Sequence, residues 1–204
     1  MFEGNDREFK MIKDFHIALK DIEPYVKDPR WLRTGKRFSN FSLLVREVWT
    51  NWLLCVVLQR IGEPDMTFAE DDKGDGILVC RRTGLCIPTE HVSRLDVPFK
   101  EPLADGEDGV IQAIEHKIAR GSEYAQGKYL IVFFEGVGEF YRNKIRERIR
   151  GKHNFLMVFG VGLLSIEPSG DYVYAVTQFH DLHSVTHIVR IKNDFTDWQV
   201  VSLS

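Results

Sequence analysis

The chain has 204 residues, 44% of them hydrophobic and 28% charged, and a formal net charge of −3. That composition is ordinary for a globular protein, and a chain of this length buries about 70% of the surface its unfolded form exposes. It holds no apolar stretch near the roughly 20 residues that span a bilayer, its start (Met1 to Glu8) lacks the basic-then-apolar form of a signal peptide, and its three cysteines include no Cys-x-x-Cys. A cytoplasmic, reducing setting, no membrane partner and one domain over 1–204 are therefore expected.

Residues 5–26 carry Phe9, Ile12, Phe15, Leu19 and Ile22 at helical spacing, with Glu23-Pro24 as the stop signal. After a loop containing Asp28-Pro29 and Gly35, Ser39 or Asn40 is placed to cap a long helix to about Arg60. Val45, Val48, Trp49, Trp52, Leu53, Val56 and Val57 form its main apolar face. Arg46, Glu47, Thr50 and Asn51 cluster on the other face, where water is the expected neighbour. These helices make an N-terminal part of about 5–60, ahead of an α/β core of about 61–192.

Two runs of β-formers, Ile77 to Cys80 and Leu85 to Ile87, flank the turn chemistry of Thr83-Gly84 and predict a hairpin with a loop of two or three residues. Cys80 and Cys86 are expected there as two buried thiols. Asp75 precedes the first strand and Glu90 follows the second run, so folding back brings the two acids together. Their Cβ atoms are expected about 5 Å apart if directly opposed, or roughly 7–8 Å if diagonal. Such a pair of hard oxygen donors suits Mg²⁺, or Mn²⁺, that keeps several of its waters. The plainer alternative makes Asp75-Gly76 turn punctuation and Glu90 a solvent-facing strand residue. Glu70, Asp71 and Asp72 crowd the same approach. Period two places Cys86, Pro88, Glu90 and Val92 on one face.

From Asp108 to about Arg120, Val110, Ala113, Ile114 and Ile118 repeat at helical spacing. Lys117 projects near the middle of that apolar stripe at about 100° per residue. Two readings stay open. Its ammonium either snorkels to water near the helix C-terminus, or points into the acidic site.

An acid opening one strand, then Glu-x-(usually Lys) on the paired strand, then a helix and a further buried strand, resembles the PD-(D/E)XK nuclease superfamily over roughly residues 40–160. Asp75 stands at the first acidic position and Glu90 at the second, while Val92 occupies the usual lysine position. The resemblance implies a restriction-endonuclease-like fold and Mg²⁺-dependent phosphodiester hydrolysis on nucleic acid, with DNA the expected substrate. It makes Asp75 and Glu90 the metal ligands and, with Lys117 in the role of a migrated motif lysine, the catalytic residues. Glu47 resembles the helical acid that some members add. The competing reading, favoured by Val92, is a catalytically inactive nuclease-like fold that serves as a binding or assembly module.

The net charge does not advertise a nucleic-acid partner, but a local basic patch suffices. Tyr141 to Lys152 supplies Arg142, Lys144, Arg146, Arg148, Arg150 and Lys152, either as a solvated helix or as a phosphate-tracking surface. Tyr129 to Phe134 and Phe155 to Phe159 read as central strands covered on both faces, and Tyr172 to Phe179 and Thr186 to Ile191 as two strands that finish the sheet. The fold class is thus α/β, a mixed central β-sheet flanked by helices. His180, His183 and His187 match no zinc spacing and are expected as polar loop surface. Gly136-Val-Gly138 lacks the third glycine of a dinucleotide turn, and Gly160-Val-Gly162 is followed by Leu-Leu and then Ile166-Glu-Pro168, which is turn-like rather than a helix N-terminus.

Overall fold

The computed structural model describes residues 10–39, 41–71, 74–94, 106–134 and 140–203. Phe9, Asn40, Asp72, Gly136 and Gly138, all singled out above, lie outside the described residues. In chain order the elements are α1 (Phe15–Lys27), α2 (Arg30–Arg33), α3 (Val45–Arg60), β1 (Met66–Ala69), β2 (Ile77–Cys80), β3 (Cys86–Ser93), α4 (Gly106–Ile118) and α5 (Ser122–Ala125). There follow β4 (Tyr129–Phe134), α6 (Arg142–Ile149), β5 (Met157–Ile166), β6 (Tyr172–Phe179), β7 (Ser184–Ile191) and β8 (Trp198–Leu203).

All eight strands join one mixed sheet whose spatial order follows the chain, β1 to β8. The pairs β3–β4 and β4–β5 are parallel and the other five antiparallel. Parallel neighbours need a crossover, supplied by α4 with α5 in the first case and by α6 in the second. Side chains alternate across β4, so its two faces feed different cores. Ile131 and Phe133 join Leu19, Ile22, Trp49, Trp52 and Leu53 of α1 and α3. Leu130 and Val132 join Val110, Ala113 and Ile114 of α4 and Ile145 and Ile149 of α6. On the first face Trp49 stacks on Trp52, centroids 5.4 Å apart, and meets Tyr174 edge-on at 5.2 Å.

Several expectations need correction. Residues 10–14 are not helical: Ile12 N–H donates to the Phe68 carbonyl at 2.9 Å, and the chain runs beside β1 until Asp14 caps α1 through the His16 and Ile17 amides. The helix continues through Pro24, its last turn held by burial of Val26 and by Glu23, which pairs with Lys20 and Lys27 at 2.6 Å each. α3 starts at Val45 rather than after Ser39, because the Glu47 carboxylate accepts the Leu44 N–H at 2.7 Å and so satisfies an otherwise orphaned donor.

The hairpin loop has four residues, Arg81 to Gly84. The Gly84 N–H bonds the Cys80 carbonyl at 2.8 Å and the Cys80 N–H bonds the Leu85 carbonyl at 2.9 Å, with Gly84 at φ 71°. Cys80 is buried but Cys86 is exposed, so only one of the two thiols is in the core. The chain turns just after Ile166, where the Gly170 N–H donates to the Glu167 carbonyl at 2.8 Å, while Gly160 and Gly162 lie inside β5. Phe134 packs over them so closely that a Cβ at Gly160 would sit 2.6 Å from its ring. The sheet also continues past Ile191 into β8, which pairs along β7 and brings Trp198 edge-on to Trp52 at 4.9 Å.

Candidate active site

The β2–β3 register decides how Asp75 and Glu90 meet. Ile77 faces Pro88, and the ladder extends one step further through the Thr89 N–H, which donates to the Gly76 carbonyl at 2.9 Å. One step further along, Asp75 is near enough to Glu90 for the Glu90 charge to raise its pKa. Here the Asp75 side chain takes over from the backbone: its Oδ2 accepts the His91 N–H at 2.7 Å. Gly76 makes this entry into the strand feasible, with φ at 127° and Asn51 Nδ2 only 2.5 Å from where a Cβ would stand. The same Asn51 amide donates to the Asp75 carbonyl at 3.1 Å. Gly76→Ala is accordingly expected to cost about 1–3 kcal/mol in a chemical denaturation experiment, and to displace Asp75.

Glu90 projects toward α4 and α5 and is held by three donors. Lys117 Nζ lies 3.2 Å from Oε2, Lys128 Nζ lies 2.9 Å from Oε1, and the Tyr124 hydroxyl donates to Oε2. Lys117 therefore turns inward, with only 13% of its side chain exposed. The Tyr124 oxygen in turn accepts from Lys117 at 3.1 Å and from Arg120 at 2.8 Å. Arg120 and Lys128 each sit 4.4 Å from the centre of the Tyr124 ring, within cation–π range.

The titration behaviour follows from these neighbours. Burial pushes the Glu90 carboxyl up, but Tyr124, Lys128 and Lys117 outweigh it and leave the pKa below the ordinary glutamate value. Asp75 goes the other way: burial raises its pKa, the Glu90 charge adds to the rise, and the His91 amide and Lys117 only partly offset it. Burial acts to lower the Lys117 pKa, yet Tyr124, Glu90 and Asp75 together hold it above the ordinary lysine value.

Behind β3 lies a second, fully buried polar layer. Arg46, Glu47, Thr50 and Asn51, expected in water, are all buried. Thr50 Oγ1 is 2.8 Å from His91 Nδ1, Thr89 Oγ1 is 3.3 Å from His91 Nε2, and Arg46 donates to Ser93 Oγ at 3.2 Å. Burial first, then the Arg46 and Lys117 charges, pushes the His91 pKa well below the ordinary imidazole value, so this ring is a neutral strut. Glu47, 7% exposed, spends one carboxylate oxygen on the α3 cap.

Asp75 and Glu90 are the residues of this constellation that can hold a metal. Asp75 lies just before β2 and Glu90 within β3, and a pair of carboxylates is the donor type that an oxygen-seeking divalent cation with most of its waters would take. Among the described residues no group of three or more His, Cys, Asp or Glu side chains is arranged to hold a metal ion. Val92, at the usual lysine position, is wholly buried against Val110 and Ala113.

The remaining motifs fall elsewhere. On α6, Lys144 pairs with Glu107 at 2.6 Å and Arg148 with Glu115 at 2.9 Å, so acids of α4 neutralise part of the basic run. His180 and His183 stack at 4.6 Å beside the β6–β7 turn, while His187 lies within β7 and bonds Ser202 at 2.9 Å. Sequence reasoning missed Lys128, Tyr124 and Arg120.

No family model matches the chain, and neither a curated protein nor a solved structure is significantly similar to it. Among the described residues no helix is long and apolar enough to cross a membrane.

Proposed function

We propose that the chain is a metal-dependent nuclease with a restriction-endonuclease-like arrangement, hydrolysing phosphodiester bonds of nucleic acid, with DNA the expected substrate. The observation that carries this reading is Lys117: a cation on the apolar stripe of α4 spends its charge 3.2 Å from Glu90 and within the field of Asp75, rather than in water. Asp75 and Glu90 are the residues that would hold Mg²⁺ or Mn²⁺. When bound, such an ion supplies Lewis-acid polarisation of the phosphate and a more acidic water.

The chain's own residues provide the rest. Lys117 orients the attacking water or stabilises the charge that builds on the phosphoryl oxygens, a role for which its raised pKa keeps it protonated at neutral pH. Tyr124 fixes the ammonium and the Glu90 carboxylate relative to one another. His91, through its backbone N–H, fixes Asp75. Element order supports the reading too: two paired strands, then a helix and a further buried strand, are what the resemblance calls for.

A second reading keeps this arrangement but removes the catalysis, leaving a binding or assembly module. The buried Val92 favours it, as does a Glu90 already satisfied by two lysines.

Thermal melting separates the two. An ion that binds only the folded state at ten times its Kd adds about 1.4 kcal/mol, a rise of about 3–5 °C for a domain of this size. Millimolar Mn²⁺ is expected to produce that rise in the wild type and not in Asp75→Ala. An unchanged wild-type melt would count against a metal site.

A further inference from the structure

Glu90, like Glu23, has a separate ammonium on each carboxylate oxygen, but here all three side chains are largely enclosed and the two lysines are not equivalent. Lys117 is 13% exposed, bonds Oε2 and is tied as well to the Tyr124 hydroxyl. Lys128 is 26% exposed, bonds Oε1, and otherwise rests against the Tyr124 ring at 4.4 Å. Its place follows from the parallel register: Glu90 faces Leu130, so Lys128, two residues back along the same face, reaches the carboxylate from the mouth of the sheet. A long, flexible stem ending at a partly exposed site can swing into water at small cost.

We propose that Lys128 is an exchangeable counter-cation: it occupies Glu90 Oε1 while no divalent ion is bound and yields that oxygen to the ion. The inference rests on the reading of Asp75 and Glu90 as metal ligands. Its physical basis is that one oxygen cannot keep a close ammonium bond and serve a dication without two positive groups meeting at short range. Lys117 can remain on Oε2, because it has Tyr124 and the Asp75 field to hold it. Lys128 has the exit to solvent. Lys128 is thus a positioning residue that sets how readily the site takes up its ion.

The sign of one measurement separates this from a structural ion pair. If Lys128 merely braces Glu90, removing its charge loosens the carboxylate and weakens metal binding. If it competes with the ion, removing its charge strengthens binding, by about tenfold for a unit charge a few ångströms from a dication in a largely aqueous setting. Titration calorimetry of Mn²⁺ into wild type, Lys128→Met and Lys128→Arg reads this directly. The expected result is about tenfold tighter binding to Lys128→Met, which keeps the stem, and wild-type affinity in Lys128→Arg, which keeps the charge. Binding by Lys128→Met alone would equally support exchange. Equal or weaker binding by Lys128→Met, with the wild type still binding, would overturn the counter-cation and leave the metal reading standing. Absence of binding in all three proteins would overturn both.

Discussion

Glu90→Gln and Asp75→Asn are expected to move stability in opposite directions at neutral pH in the absence of metal. Glu90 compensates two lysines, and the Lys117 side chain is almost wholly enclosed. Replacing the carboxylate by an amide leaves a buried ammonium without its counter-charge, a change that typically costs about 3–5 kcal/mol. Asp75 is instead an anion whose burial is only partly compensated, and an asparagine can still accept the His91 N–H. Its substitution should therefore stabilise the metal-free protein, as expected where function is favoured over stability.

The pH dependence carries matching signs. Glu90 has a folded pKa below its unfolded value, so its contribution is complete above the unfolded value and is lost as pH falls through the folded one. Asp75 has a folded pKa above its unfolded value, so its contribution is complete at acid pH and is lost as pH rises through the folded one. The advantage of Asp75→Asn should accordingly be present at pH 7 and vanish in acid, whereas the deficit of Glu90→Gln should shrink there. Urea denaturation at pH 7 and near pH 4 reads both. A loss of stability in Asp75→Asn at pH 7 would show that the acid is part of a structural network rather than a strained ligand.

The largest effect on activity is expected at Lys117. Removing one pre-positioned charge from a transition state of this kind typically costs about 10²–10³-fold in rate. Lys117→Ala removes charge and stem together, while Lys117→Met keeps most of the apolar stem and deletes only the charge. Both variants should lose cleavage to a similar degree if the ammonium acts on the phosphate. Retention of cleavage in Lys117→Met, with loss only in Lys117→Ala, would assign the residue to packing.

How much of this was legible in the chain depends on how local the signal was. The hairpin, β4 and α4 follow from short-range patterns: β-formers around Thr83-Gly84, an apolar run from Tyr129, and a 3.6-residue repeat from Val110. Lys117 stood out because a cation broke that repeat. Lys128 and Tyr124 did not, because their approach to Glu90 depends on a parallel pairing between residues 40 apart, Glu90 with Leu130, that no local pattern encodes. The polar face of α3 was misjudged for a related reason. Period alone cannot distinguish a face that meets water from one that meets His91 and Ser93 across a sheet. β1 and β8 match β2 and β4 in length but went unread, because each is recognised as a strand by its partner.

The central claim is that Asp75, Glu90 and Lys117 form a metal-dependent phosphodiesterase site, and it is tested most directly by cleavage. Purified protein is incubated with linear, circular and single-stranded DNA and with RNA, in Mg²⁺, in Mn²⁺ and in chelator, with Asp75→Asn as the matched control. The expected result is strand scission of at least one DNA substrate that requires the divalent ion and is absent in Asp75→Asn. No scission of any substrate by the folded wild type in either metal, or scission that persists in Asp75→Asn, would contradict the claim.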